Sequence, residues 1–167
     1  STLFPYTTLF RSEEPEIMLT SAPATSSYEI VYSAPVITAP EYVITDGSGQ
    51  APVTELGVSD IDSAFVVMSL SVDYGVLQVS EDVAGGLTAA QINGNFTDTV
   101  SITASLAALN ATLADENGLL YDGSLNLLDL DTLSITVTDD TNLQDSATVD
   151  ISSENPEWQD YFVEPQP

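Results

Sequence analysis

The chain has 167 residues, of which 26 are Asp or Glu and one is basic, so it carries a net charge of −25 with no His and no Cys. Nucleic acid and anionic membrane surfaces are poor partners for such a chain, because binding them relies on Lys and Arg. Disulfides, imidazole acid–base chemistry and Cys or Lys nucleophiles are ruled out by composition alone, while a hydrophobic fraction of 43% supports a folded core over a disordered acidic tail.

Residues 2–12 (TLFPYTTLFRS) resemble the translation of a common sequencing adapter, and residues 1–12 are set aside as an assembly scar. Arg11 lies inside that stretch, so everything after it holds 26 acidic and no basic residues, a charge of −26. Residues 13–52 are rich in Pro, Ser, Thr and Ala, with Ala-Pro at 22–23, 34–35, 39–40 and 51–52. Proline removes backbone donors and favours extended geometry, so this region is expected to be linker with one edge strand. Tyr28 to Tyr32 and Tyr42 to Ile44 are the candidate strands, and Asp46-Gly47-Ser48-Gly49 reads as a turn.

From Val53 the pattern becomes regular. Leu56 and Val58 alternate ahead of Asp60-Ile61-Asp62, and Ala64 to Val72 reads as a strand with a slip of phase between Phe65, Val67 and Met68, Leu70. Gly75 turns the chain into Val76 to Ser80, and Val100 to Thr103 forms a further strand. Leu106, Leu109 and Leu113 are spaced as on a helix, with Ser105 placed to cap it, so one short helix is expected at 105–115. Leu119 to Tyr121 returns to strand. Asp131 to Thr138 then places Leu133, Ile135 and Val137 on one face, with Ala147 to Ile151 as its neighbour beyond a Thr138–Ser146 loop. Short alternating strands at even spacing predict an all-β sandwich over residues 53–152, followed by linker or the start of another repeat at 153–167.

The ordered set VSDID (58–62), SVDYGVLQVS (71–80), SLAALNATL (105–113), GLLY (118–121) and DTLSITVTDD (131–140) resembles the bacterial cadherin-like tandem repeats of large surface adhesins. The resemblance implies a Greek-key sandwich of cadherin or immunoglobulin-like type. It further implies calcium (Ca²⁺) held by Asp60 and Asp62 of a DxD motif and by Asp139, with Asp140 beside it, and neighbouring repeats of the same polypeptide as partners. Residues 152–158 are similar to the linker that leads into a following repeat. The pattern departs from classical cadherins in two places: no Asp lies near 31–40, and the DRE-type motif is missing. One or two ions are expected instead of three.

The DxD reading also has support from chemistry. On extended chain, residues i and i+2 point to the same side, and paired carboxylates suit a hard cation. Solvated turn-forming is the competing role for all four residues. For Asp129-Leu130-Asp131, turn or strand-start duty is the expected role.

An enzyme is not expected. Paired carboxylates of the kind glycosidases use are the only catalytic groups left, and no deep cleft is signalled for them. A carbohydrate-binding accessory module is the alternative, with Trp158, Tyr161 and Phe162 as its platform and surface glycans as ligands. Packing at a module boundary is the role such aromatics more often take. Asn95-Phe96-Thr97 and Asn110-Ala111-Thr112 match the glycosylation acceptor at a frequency near chance. The expected setting is extracellular or cell-surface, with no direct membrane insertion.

Overall fold

The computed structural model describes residues 31–123 and 130–153. Among them three short strands come first, β1 (Val36–Thr38), β2 (Tyr42–Ile44) and β3 (Gln50–Pro52), followed by β4 (Gly57–Ser59). Then come β5 (Phe65–Ser71), β6 (Val76–Val79), β7 (Ile92–Asn93) and β8 (Thr99–Ser105), the helix α1 (Leu106–Leu113), β9 (Leu119–Asp122), β10 (Leu130–Asp139) and β11 (Gln144–Ser152). The class is all-β with one short helix, as the periodicity predicts.

Six strands form the larger sheet in the order β2-β11-β10-β5-β8-β7, and β3-β9-β6 form the smaller one. A separate two-stranded ladder joins β1 to β4. Inward side chains of both sheets meet in one core containing Met68, Leu70, Leu77, Ile102, Leu119, Leu133 and Ile135. Burying each such side chain contributes about 1.5–3 kcal/mol relative to exposure. The period of two is regular throughout β5: Val66, Met68 and Leu70 point inward, while Phe65 and Val67 are 61% and 41% exposed. No slip of phase occurs there.

The outward positions of the central strands carry hydroxyls. Ser134 stands opposite Ser71 and Thr148, Thr136 opposite Ser69 and Ser146, and Ser69 opposite Ser101. β-Branched Thr suits the pleated surface, and small hydroxyls keep the middle of that face free of charge, with Asp150 exposed at its edge opposite Thr132.

The helix starts where the sequence suggests. Ser105 Oγ accepts from the Ala108 amide at 3.3 Å, and Leu109 and Leu113 are buried. Asn110 ties the helix to β4, its Oδ1 accepting from Val58 N at 2.9 Å and its Nδ2 donating to Val58 O at 2.7 Å. Its carboxamide thus extends the strand as a backbone group would. Asn95 treats Val79 the same way, at 2.8 and 2.9 Å. Both potential glycosylation acceptors are therefore engaged in structural bonds.

The sheets also draw on residues expected to be linker. β1, β2 and β3 all lie within 36–52, and Val43 and Ala51 are buried in the core. β2 pairs in parallel with β11, Tyr42 against Asp150 and Ile44 against Ser152. The hairpin between β10 and β11 is tighter than the expected Thr138–Ser146 loop, since Thr138 still pairs with Gln144. The candidate strand at 28–32 falls largely outside the described residues. Among the described residues no helix is long and apolar enough to cross a membrane.

Candidate metal centre

β4 delivers Asp60 and Asp62 to the end of the sandwich where β5 begins. β10 runs antiparallel to β5 with Asp139 opposite Val66, so Asp139 and Asp140 arrive at the same end. Ser63 closes the gap between the two loops, its hydroxyl donating to Asp140 Oδ1. All four acidic residues singled out from the sequence therefore share one pole.

The bonds within each loop fix its shape. Asp60 Oδ1 accepts from the amides of Asp62 and Ser63, each at 3.0 Å. Burial pushes the Asp60 carboxyl up, but the amide donors of Asp62 and Ser63 outweigh it and hold the group below the usual carboxylate range. Asp139 Oδ1 accepts from Thr141 N at 2.8 Å, Thr141 Oγ1 at 2.9 Å and Leu143 N at 2.9 Å. Asp46 builds the same turn, with Oδ1 accepting from Ser48 N, Ser48 Oγ and Gln50 N. Turn-forming thus accounts for one oxygen of Asp60 and one of Asp139. The remaining oxygens differ.

Asp60 Oδ2 and Asp139 Oδ2 are shielded from solvent and have no hydrogen-bond partner. Asp139 as a whole is 6% exposed. Buried polar groups are normally satisfied, and leaving a carboxylate oxygen bare costs more than leaving a neutral one. Both bare oxygens sit on the two loops that Ser63 joins.

Asp62 and Asp140 are more open. Asp62 Oδ2 accepts from the Ser33 amide at 2.9 Å, which fixes the incoming chain beside the loop. Asp145 acts similarly further along, its Oδ2 accepting from Ile37 N at 2.8 Å. Among the described residues no group of three or more Asp or Glu side chains is gathered closely enough to hold a metal ion. A cation here would be anchored on the bare Asp60 Oδ2 and Asp139 Oδ2, with carbonyls and water supplying the rest of the six to eight oxygens that calcium takes. The donor chemistry fits a hard cation, and the two bare oxygens are the positions it would neutralise.

Asp131 is a different kind of carboxylate. It stands at the other end of β10 and is 6% exposed. Its Oδ1 accepts from Asp73 N and Thr132 N, both at 2.8 Å, and its Oδ2 from Tyr74 N at 3.2 Å, Gly75 N at 2.9 Å and the Tyr121 hydroxyl at 2.7 Å. Burial raises its pKa, but the Tyr121 hydroxyl and the amides of Gly75, Asp73 and Thr132 lower it further, leaving it below the usual range. Both of its oxygens are occupied, so it pins the β5–β6 turn to β10. A cavity of about 330 Å³ beside it is lined by Asp46, Ser48, Tyr121 and Asp131 among others. Both oxygens of Asp131 and Oδ1 of Asp46 there already accept from protein donors.

Ser63 carried no signal in the sequence, because a Ser after an acidic loop is ordinary turn chemistry. Asp129, Trp158, Tyr161 and Phe162 lie outside the described residues. Comparison with known protein families, with curated proteins and with solved structures yields no match.

Proposed function

We propose that this chain is a calcium-binding β-sandwich module with a structural or adhesive role in a larger extracellular or cell-surface protein, in the manner of the cadherin-like repeats it resembles. The observation that carries the reading is the pair of bare, buried oxygens, Asp60 Oδ2 and Asp139 Oδ2, on loops brought to one pole. A chain with 26 acidic residues and one basic residue has few internal means of neutralising them. A divalent cation would supply two positive charges beside these bare oxygens.

The path of the chain supports a role as a unit in series. Ser33 bonds to Asp62 at the acidic pole, whereas Ser152 pairs with Leu130 at the opposite end. The described chain therefore enters the sandwich at one pole and leaves at the other, as stacking of repeats requires. The decisive experiment compares thermal unfolding in EDTA and in millimolar calcium. A higher melting temperature in calcium supports the reading, because a ligand selective for the native state stabilises it. An unchanged one rejects it.

A further inference from the structure

We infer that Ser63 is the positioning residue of this cation site, joining its two carboxylate loops before any ion arrives. The inference rests on the calcium reading above.

Ser63 bonds to both loops at once. Its amide donates to Asp60 Oδ1 at 3.0 Å, and its hydroxyl donates to Asp140 Oδ1, 77 positions away in sequence. It is 6% exposed, so the Ser63 end of each part-buried bond is shielded from water. Asp140 in turn adjoins Asp139, whose Oδ1 shapes the β10–β11 turn through Thr141 and Leu143. One small side chain thus fixes the separation between the segments that carry the two bare oxygens.

The physical need for such a residue follows from charge. Asp60, Asp62, Asp139 and Asp140 repel one another, and without a donor between them the loops would part. Bringing them back together would then cost conformational freedom at the moment of binding. A hydroxyl donor held from one loop to the other removes much of that cost in advance. Serine suits the place because it is compact enough to be buried and donates a proton without adding charge.

The experiment compares the full chain with S63A and D140N. S63A keeps every carboxylate and breaks the link. D140N keeps an oxygen acceptor for the Ser63 hydroxyl and removes one charge. In metal-free protein, amide exchange at Thr141 and Leu143 should quicken about 3–10-fold in S63A, the usual worth of one hydrogen bond, with core amides such as Ile135 unchanged. D140N should exchange like the wild type. Calcium titrations should show affinity weakened about 3–10-fold in S63A through lost positioning, and weakened in D140N through lost charge. S63A that matches the wild type in loop exchange, or in calcium affinity, overturns the inference alone. A wild-type chain indifferent to calcium overturns both readings, and the exchange data still show whether Ser63 links the loops.

Discussion

Asp131 and Asp139 occupy the two ends of the same strand in opposite states: every oxygen of Asp131 is bonded, while Oδ2 of Asp139 has no partner. Both are 6% exposed, so burial does not distinguish them. Their surroundings do. One carboxylate is a finished structural joint, and the other has an oxygen left over.

Asp131→Asn should destabilise the fold by about 2–4 kcal/mol at neutral pH, since an amide nitrogen would face donors where an oxygen now accepts. The sign of the pH dependence follows from the depressed folded-state pKa. Relative to an unfolded value of about 3.9, stabilisation is complete above that value and is lost as the pH falls through the lower folded one. Urea unfolding between about pH 5 and pH 2 should therefore show wild type and variant converging as the pH drops. A constant gap would contradict this account.

Asp139→Asn should behave differently. Asn keeps an oxygen for Thr141 and Leu143 and replaces the bare charged oxygen with a neutral group. Metal-free stability should change by less than about 1 kcal/mol or rise, while stabilisation by calcium disappears. Melting curves with and without calcium check both halves. A variant that loses several kcal/mol without metal would show that Oδ2 has a stabilising role of its own.

Calcium binding must be separated from general screening of a charge of −25. Sodium chloride should raise the melting temperature gradually by shortening the range of repulsion. Calcium at about 10 mM should add about 1.4–2.7 kcal/mol if affinity falls in the range of about 10⁻⁴–10⁻³ M typical of extracellular modules. Magnesium at equal ionic strength should do less, because it demands stricter geometry and gives up water reluctantly. Equal responses to both divalent ions and to sodium at matched ionic strength would reduce the effect to screening.

Asn110→Ala should cost about 2–3 kcal/mol, because it strips both partners from the Val58 backbone and frees α1 from β4. Asn110→Asp should also destabilise, as it retains the acceptor but removes the Nδ2 donor to Val58 O. Chemical denaturation of the two variants distinguishes this from helix propensity, which differs little between Asn and Asp.

Much of the sandwich is legible because its strands are half-buried. Leu133, Ile135 and Val137 alternate with Ser134 and Thr136, and that alternation is the physical signature of one wet and one dry face. The Leu spacing in α1 is equally direct. The strands within 36–52 are harder to read, for each is three residues long and set among prolines, too short for a period to show. What builds them is pairing with distant partners, Val36 with Ser59 and Tyr42 with Asp150, which a local pattern does not contain. Asp60, Asp62, Asp139 and Asp140 stand out by type and spacing. Their meeting at one pole depends on the antiparallel run of β5 against β10, and the hydroxyl that joins them is visible only in three dimensions.

The parallel pairing of β2 with β11 has a mechanical meaning. A stretching force applied through the entering and leaving chain pulls these two strands in opposite directions along their length, because one is drawn toward the Asp62 end and the other toward the Asp131 end. The hydrogen bonds between Tyr42–Ile44 and Asp150–Ser152 are then sheared together instead of being unzipped one at a time. Such a link yields only when several bonds fail at once, so it resists a pull along the strands better than a ladder opened bond by bond.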